Sequence, residues 1–303
     1  MSEKKYELRK QIKSVRWMIF WVVISQFAAE VLIEAAVSFM ANPPHKYVQI
    51  AVVELLAIGI PIAIYAKTVW NGSGRKIKQE LCLNGCGVGY IILAAILGIS
   101  GQFVMMLLNV PANYILTALF NRQPAESIPV AAEWYEILFG IFAVVIIPAI
   151  LEEFWMRGII FRAYSRCNTV AAVLFTAITF ALLHLRFNEI VGFLFMGITA
   201  SLILIKSKSL YASMVYHAFS NLTALLFGAV IMPRIIDYIW FAFAGIVMVF
   251  AISLIILLKQ KSRMRKNRVF RAGTLVVTSI FSMPVLLSVL TVVVKYILLG
   301  MAG

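Results

Sequence analysis

The sequence predicts an all-α protein, a polytopic transmembrane bundle of about eight or nine helices with its N-terminus in the cytoplasm. Of its 303 residues, 62% are apolar and only 13% are charged, which is about half the charged share of an ordinary soluble domain. The apolar residues collect in long runs, and a run of roughly 20 such residues spans a bilayer. The composition therefore indicates a membrane protein, in which polar side chains inside the runs become functional candidates.

Nine apolar runs are candidate spans, and the sixth is the shortest. They lie near residues 17–41, 48–69, 88–109, 136–165, 169–187, 190–205, 210–231, 236–258 and 273–299. The first run is too long for a cleavable signal peptide, so we interpret it as a membrane anchor. The longest external segment is expected over residues 110–135.

The net charge of +14 is spread over short segments between the apolar runs. These basic segments are Lys4–Arg16, Lys67–Lys78, Arg157–Arg166, Lys206–Lys208 and Lys259–Arg271. With the N-terminus inside, every one of them falls on the cytoplasmic side, as the positive-inside rule requires. The charge therefore predicts a lipid bilayer as the partner and argues against nucleic acid.

The three cysteines are Cys82, Cys86 and Cys167. Two of them lie beside a basic segment that we place in the reducing cytoplasm. Without further cysteine or histidine nearby they make a poor zinc site, so we interpret them as structural or incidental.

Ionisable side chains at membrane depth cost about 2.5–3.5 kcal/mol each on insertion scales, so they are candidates for function. The set at that depth, including one amide, is Glu30, Glu34, Glu54, Glu152, Glu153, Arg157, His184, His217 and Asn221.

Two of these acids are neighbours in the fourth run. Glu153 and Arg157 are four residues apart, so on a helix they share a face and can pair. Glu152 points elsewhere and must find a partner on another helix. His184 could be that partner, because Glu152 and His184 each lie 16 residues from an expected turn at Asn168. Both would lie about 24 Å from the turn. A structural ion-pair network is the alternative interpretation.

His217 and Asn221 are also four residues apart and share a helix face. Together they could donate hydrogen bonds to a developing oxyanion, or they could form an interhelical hydrogen-bond pair. Counted in residues from a turn near Ser207, His217 would lie closer to the membrane surface than Glu152. A deep turn or a tilted helix would be needed to bring the two to one level.

Three motifs, Glu152-Glu153-x-x-x-Arg157, Phe180-x-x-x-His184 and His217-x-x-x-Asn221, resemble in order those of the CPBP family. These are the CAAX prenyl proteases and bacteriocin-processing enzymes, also called Abi proteins. The resemblance covers about 70 residues, 152 to 221. It implies an intramembrane endopeptidase, and we expect one integral membrane domain over 1–303. Its catalytic core would lie near 136–231, with peripheral spans over 17–109 and 236–299.

The resemblance also implies a role for each candidate residue. Glu152 and His184 would activate a water, with Glu152 as general base. His217 and Asn221 would stabilise the oxyanion, while Glu153 and Arg157 would support the site. A mechanism without a cofactor is favoured. The alternative is a catalytic zinc held by Glu152, His184 and His217.

Two rival functions stay open. Glu30, Glu34 and Glu54 could serve a proton- or ion-coupled transporter, although no inverted repeat is visible. The second rival is a catalytically silent relative that acts as a membrane scaffold or as a bacteriocin self-immunity protein. For the endopeptidase, we expect a peptide or membrane-protein substrate, prenylated or not, in a bacterial plasma membrane.

Overall fold

The computed structural model describes residues 3–69, 78–120, 134–184, 186–227, 239–262, 264 and 267–301. Within these ranges the chain is helical without any strand, and one isolated bridge joins Asn168 to Arg268. The prediction of an all-α polytopic bundle is confirmed. Most of the expected external segment, residues 121–133, and the expected loop at 232–237 lie outside the described residues.

Thirteen α-helices follow one another in the described part of the chain. Their bounds are α1 Glu3–Ser38, α2 Lys46–Glu54, α3 Ile60–Val69, α4 Val88–Phe120, α5 Trp134–Gly140, α6 Ile147–Glu153, α7 Arg162–Ser165, α8 Thr169–Leu183, α9 Ile190–Ser207, α10 Leu210–Leu226, α11 Ile239–Lys259, α12 Ala272–Ile280 and α13 Met283–Met301. Wider π-helical turns at Leu55–Gly59, Ile141–Ile146 and Phe154–Phe161 join α2 to α3, α5 to α6 and α6 to α7.

Five helical segments of the described chain are long and apolar enough to cross a membrane. The pair α12 and α13 would be a sixth, although it is bent by 52°. Helix α8, with 15 residues, is shorter than the roughly 20 residues of a full span. The number of spans and the cytoplasmic N-terminus therefore stay predictions.

Glycines bring the central helices unusually close together. A Cβ atom added to Gly98 on α4 would collide with the backbone oxygen of Tyr216 on α10. A Cβ atom on Gly197 of α9 would lie 2.7 Å from the Cα atom of Ala177 on α8. Small residues at such contacts let membrane helices pack backbone to backbone. The spacing of α4, α8, α9 and α10 is therefore fixed around the interior of the bundle.

The turn between α9 and α10 lies deeper than the turn at Asn168. Lys208 ends α9 in a left-handed conformation, with a φ of 56°. The Leu210 N–H then donates to the Cys82 carbonyl oxygen at 2.8 Å, and the Leu210 side chain reaches Gly158. Leu210 precedes His217 by seven residues, and Gly158 follows Glu152 by six. This deep turn therefore brings His217 to the level of Glu152.

All three cysteines are free thiols. Cys167 lies in the turn before α8, where its carbonyl oxygen accepts a hydrogen bond from the Val269 N–H at 2.7 Å. Burial raises the pKa of the Cys167 thiol to about 11 and also raises the pKa of Cys82. Thiols that stay protonated at neutral pH are poor nucleophiles and metal ligands, which agrees with a structural interpretation.

Candidate active site

The candidate site begins at the end of α6, where Glu152 and Glu153 are both buried. Glu153 forms the ion pair expected from its spacing, with its Oε1 atom 2.6 Å from Nη1 of Arg157. Arg157 is fully buried. Its Nη2 atom donates to the Gly197 carbonyl oxygen at 3.3 Å, and its guanidinium lies 4.9 Å from the centre of the Phe180 ring. The charge of Glu153 is therefore compensated inside the bundle.

His217 joins the same carboxylate from α10. Its Nδ1 atom lies 3.0 Å from Oε1 of Glu153. An ionised carboxylate only accepts hydrogen bonds, so Nδ1 of His217 carries the proton and donates it. The opposite ring nitrogen, Nε2, consequently faces Glu152, at 3.9 Å from its Oε2 atom.

His184 approaches Glu152 from the end of α8. Its Nδ1 atom lies 2.8 Å from the Phe180 carbonyl oxygen, which can only accept, so Nδ1 is again the donor. Its Nε2 atom lies 3.7 Å from Oε2 of Glu152. The rings of Phe180 and Phe193 pack on the imidazole, with centroids at 4.4 Å and 3.9 Å. The imidazole is therefore fixed in orientation.

Glu152 is the point on which both imidazoles converge. Its Oε2 atom is buried and has no hydrogen-bond partner. The distances of 3.7 Å and 3.9 Å to the two Nε2 atoms are too long for direct hydrogen bonds. The site thus presents a carboxylate oxygen and two ring nitrogens that all act as acceptors when the rings are neutral.

The same three residues are the proposed zinc ligands. Their donor atoms are of the right type, but donors at a tetrahedral zinc lie about 3.4 Å apart, closer than the two distances to Glu152. Among the residues that the structure describes, no group of three His, Cys, Asp or Glu side chains has a geometry that could hold a metal ion. The dependence of the site on a metal ion stays a prediction.

Asn221 lies one turn beyond His217 and bonds to the backbone of a neighbouring segment. Its Nδ2 atom donates to the Val144 carbonyl oxygen at 2.9 Å. Val144 lies in the π-helical turn Ile141–Ile146, and Pro148 has no N–H to donate to this preceding turn. Asn221 therefore supplies a side-chain donor to a turn in which the proline removes a backbone donor, and it keeps a second amide hydrogen for another acceptor.

We expect Asn221→Ala to lower the free energy of unfolding by about 1 kcal/mol, because it removes this part-buried hydrogen bond to the Val144 carbonyl. Thermal unfolding in detergent measures the change. Thr223→Val is the matched control, since Thr223 is half-buried on the same helix and its hydroxyl donates an exposed hydrogen bond to the Phe219 carbonyl oxygen of α10. Equal melting temperatures for both variants would contradict the structural role of Asn221.

A further acid, Glu54, belongs near this site. Its Oε2 atom is buried and has no hydrogen-bond partner. Its carboxylate lies within electrostatic range of Glu152 and of Glu30, whereas Glu34 is exposed. The sequence predicted that Glu54 lies at membrane depth, but it did not predict that Glu54 lies close to Glu152. The packing of Phe193 on His184 was missed, because nothing distinguishes this phenylalanine from others in apolar runs.

A protein-family model described as type II CAAX prenyl endopeptidase Rce1-like matches residues 134–223. The match runs from α5 into α10 and includes all six residues of the candidate site. No curated protein and no solved structure matches the chain. The apolar helices and the family match together indicate an integral membrane protein. The family model that matches residues 134–223 therefore agrees with the resemblance to the CPBP family that the three motifs predicted.

Proposed function

We propose that the chain is an intramembrane endopeptidase of the CPBP type, in which Glu152 is the general base for hydrolysis of a peptide bond. The observation that carries the proposal is the environment of the Glu152 Oε2 atom. It is buried, has no hydrogen-bond partner and lies within 4 Å of two imidazole nitrogens on two other helices. The match to an endopeptidase family supports the same class of reaction.

The proposed reaction uses the gap of 3.7 Å between Glu152 Oε2 and His184 Nε2. One water can donate a hydrogen bond to each of these acceptors at ordinary distances. Glu152 takes a proton from that water, and the resulting hydroxide attacks the carbonyl carbon of the peptide bond. Glu152 then returns the proton to the leaving nitrogen when the carbon–nitrogen bond breaks.

The oxyanion that forms in this reaction needs N–H donors. In the proposal, His217 is doubly protonated, so that Nε2 also donates. Glu153 stabilises that charge through its contact with Nδ1 at 3.0 Å. The charges of Glu152, Glu153, Arg157 and His217 then sum to zero, as suits a buried site. The second amide hydrogen of Asn221 is the other proposed donor.

We favour the reaction without a metal ion, because Glu152 and His184 can position and deprotonate a water by themselves. In the alternative mechanism Glu152, His184 and His217 are zinc ligands. A cleavage assay with metal removal distinguishes the two mechanisms. We further propose that the substrate is a peptide or a membrane protein, prenylated or not, and that the membrane is a bacterial plasma membrane.

A cleavage assay with metal removal tests the proposal. Protein purified in detergent is incubated with matched prenylated and unprenylated fluorogenic peptides, before and after treatment with a chelator. We expect cleavage to survive complete metal removal, verified by elemental analysis, and His184→Ala to lower the rate by about 10²–10⁴-fold. Activity that disappears with the chelator and returns with zinc would overturn the metal-free mechanism. Absence of cleavage in both states would contradict the endopeptidase itself.

One observation favours a second candidate, a proton-coupled transporter. Glu54 interacts electrostatically with both Glu30 and Glu152, and buried acids in series are typical of proton pathways. A transporter would lose its cellular effect in Glu34→Gln and Glu54→Gln while tolerating His184→Ala. An endopeptidase would show the reverse order of sensitivity.

A further inference from the structure

An apolar cavity of about 120 Å³ lies apart from the candidate active site, between α1, α8 and the bent pair of α12 and α13. Its walls are aliphatic and aromatic, with two hydroxyl side chains. One of these, Ser288, donates to the Pro284 carbonyl oxygen at 2.8 Å and is thereby satisfied. The lining therefore selects a hydrocarbon rather than a polar ligand.

The dimensions of the cavity suit a segment of one lipid chain. Its volume of about 120 Å³ is close to that of a cavity that binds one benzene molecule, so it holds several methylene groups and not a whole chain. Along α8 the lining runs from Phe175 to Leu183, about 12 Å of helix, which lies within the depth of about 15 Å of one leaflet. Leu183 and Val289 are only partly buried and Val293 is 38% exposed. The cavity is therefore accessible from the side that faces lipid.

Positive charge lies at one end of the cavity. Arg16 precedes the lining residue Ile19 by three positions, so the two share a face of α1. The Nη2 atom of Arg16 donates to Ser279 Oγ at 2.8 Å, and Ser279 is directly followed by the lining residue Ile280. Lys10 and Lys13 are exposed farther along α1. Basic side chains at a membrane surface attract anionic headgroups.

We propose that this cavity binds a segment of one acyl chain of an anionic phospholipid, whose headgroup lies at Arg16 and the basic N-terminal part of α1. The apolar lining accounts for the hydrocarbon segment, and Arg16 accounts for the charge of the headgroup. The bound lipid joins α1 and α8 to the bend between α12 and α13.

Lipid titration tests this site. Delipidated full-length protein in detergent is titrated with phosphatidylglycerol or phosphatidylcholine of identical chains, and bound lipid is counted by native mass spectrometry. We expect Val289→Trp, which fills the cavity, to weaken phosphatidylglycerol binding at least about tenfold. Leu290→Trp is the matched control, because Leu290 is 57% exposed and does not line the cavity; it should bind as the wild type does. Arg16→Gln should weaken phosphatidylglycerol binding about fivefold and leave phosphatidylcholine unaffected.

Unchanged binding in Val289→Trp, or equal binding of the two lipids by the wild type, would overturn the site. Photo-cross-linking of wild-type protein keeps the proposal testable if a variant fails to fold. Phosphatidylglycerol with a photoactivatable acyl chain should label peptides from residues 175–183 and 285–293. Labelling spread evenly over exposed faces of other helices, such as α4, would count against the cavity.

Discussion

Glu152→Gln is expected to lower kcat for peptide cleavage by about 10²–10⁴-fold, the usual contribution of a general base. The amide has nearly the shape of the carboxylate but cannot take a proton from water. Because Glu152 Oε2 accepts no hydrogen bond in the structure, the melting temperature should stay unchanged or rise. Cleavage kinetics and thermal unfolding of the same purified sample check both parts of this prediction.

Glu34→Gln is the matched control, because it makes the same chemical change at an exposed position of α1. It should keep wild-type cleavage. A Glu152→Gln protein that cleaves normally would refute the assignment of the base. One that loses stability and activity together would point to a structural role. A cellular effect that persists without any cleavage would favour the scaffold or self-immunity function.

Arg157→Met should destabilise the protein by about 3–5 kcal/mol, because it removes the guanidinium that pairs with Glu153 and leaves the buried site with one uncompensated negative charge. It also removes the hydrogen bond to the Gly197 carbonyl and the contact with the Phe180 ring. Chemical unfolding in detergent measures the loss. Arg157→Lys should recover only part of it, since an ammonium cannot reproduce the two-sided geometry of the guanidinium.

A second substitution separates charge from packing at Arg157. When Glu153→Gln is added to Arg157→Met, no unpaired charge remains, so stability should partly return. Activity should not return, because His217 loses its carboxylate partner. A double variant as unstable as Arg157→Met alone would show that packing, rather than charge, sets the cost.

The sequence predicted the part of the site that depends on local geometry. Glu152 and His184 lie at one depth because α7 and α8 meet at the turn near Asn168, and equal counts from that turn give equal depths. The Glu153–Arg157 pair follows from helix periodicity alone. Both predictions needed only the rise and twist of helices that are close in sequence.

The depth of His217 could not be predicted from the sequence, because contacts with a distant segment set it. Leu210 begins α10 beside Gly158 through its hydrogen bond to Cys82, and no pattern links these positions. The closeness of Glu54 to Glu152 likewise depends on how α2 packs against α6. Apolar length alone does not fix the number of spans, since it cannot distinguish a crossing helix from the short α8 or the bent α12–α13 pair.

Pro148 and Asn221 behave as partners whose substitutions are expected to compensate one another. Pro148 gives no N–H to the turn that contains Val144, and Asn221 donates one to the Val144 carbonyl from another helix. A residue with an N–H at position 148 could donate to that turn within its own helix, and the bond from Asn221 would then contribute less. Epistasis between the two positions follows, so that a substitution harmful at 221 in the natural sequence becomes milder when the proline is also replaced.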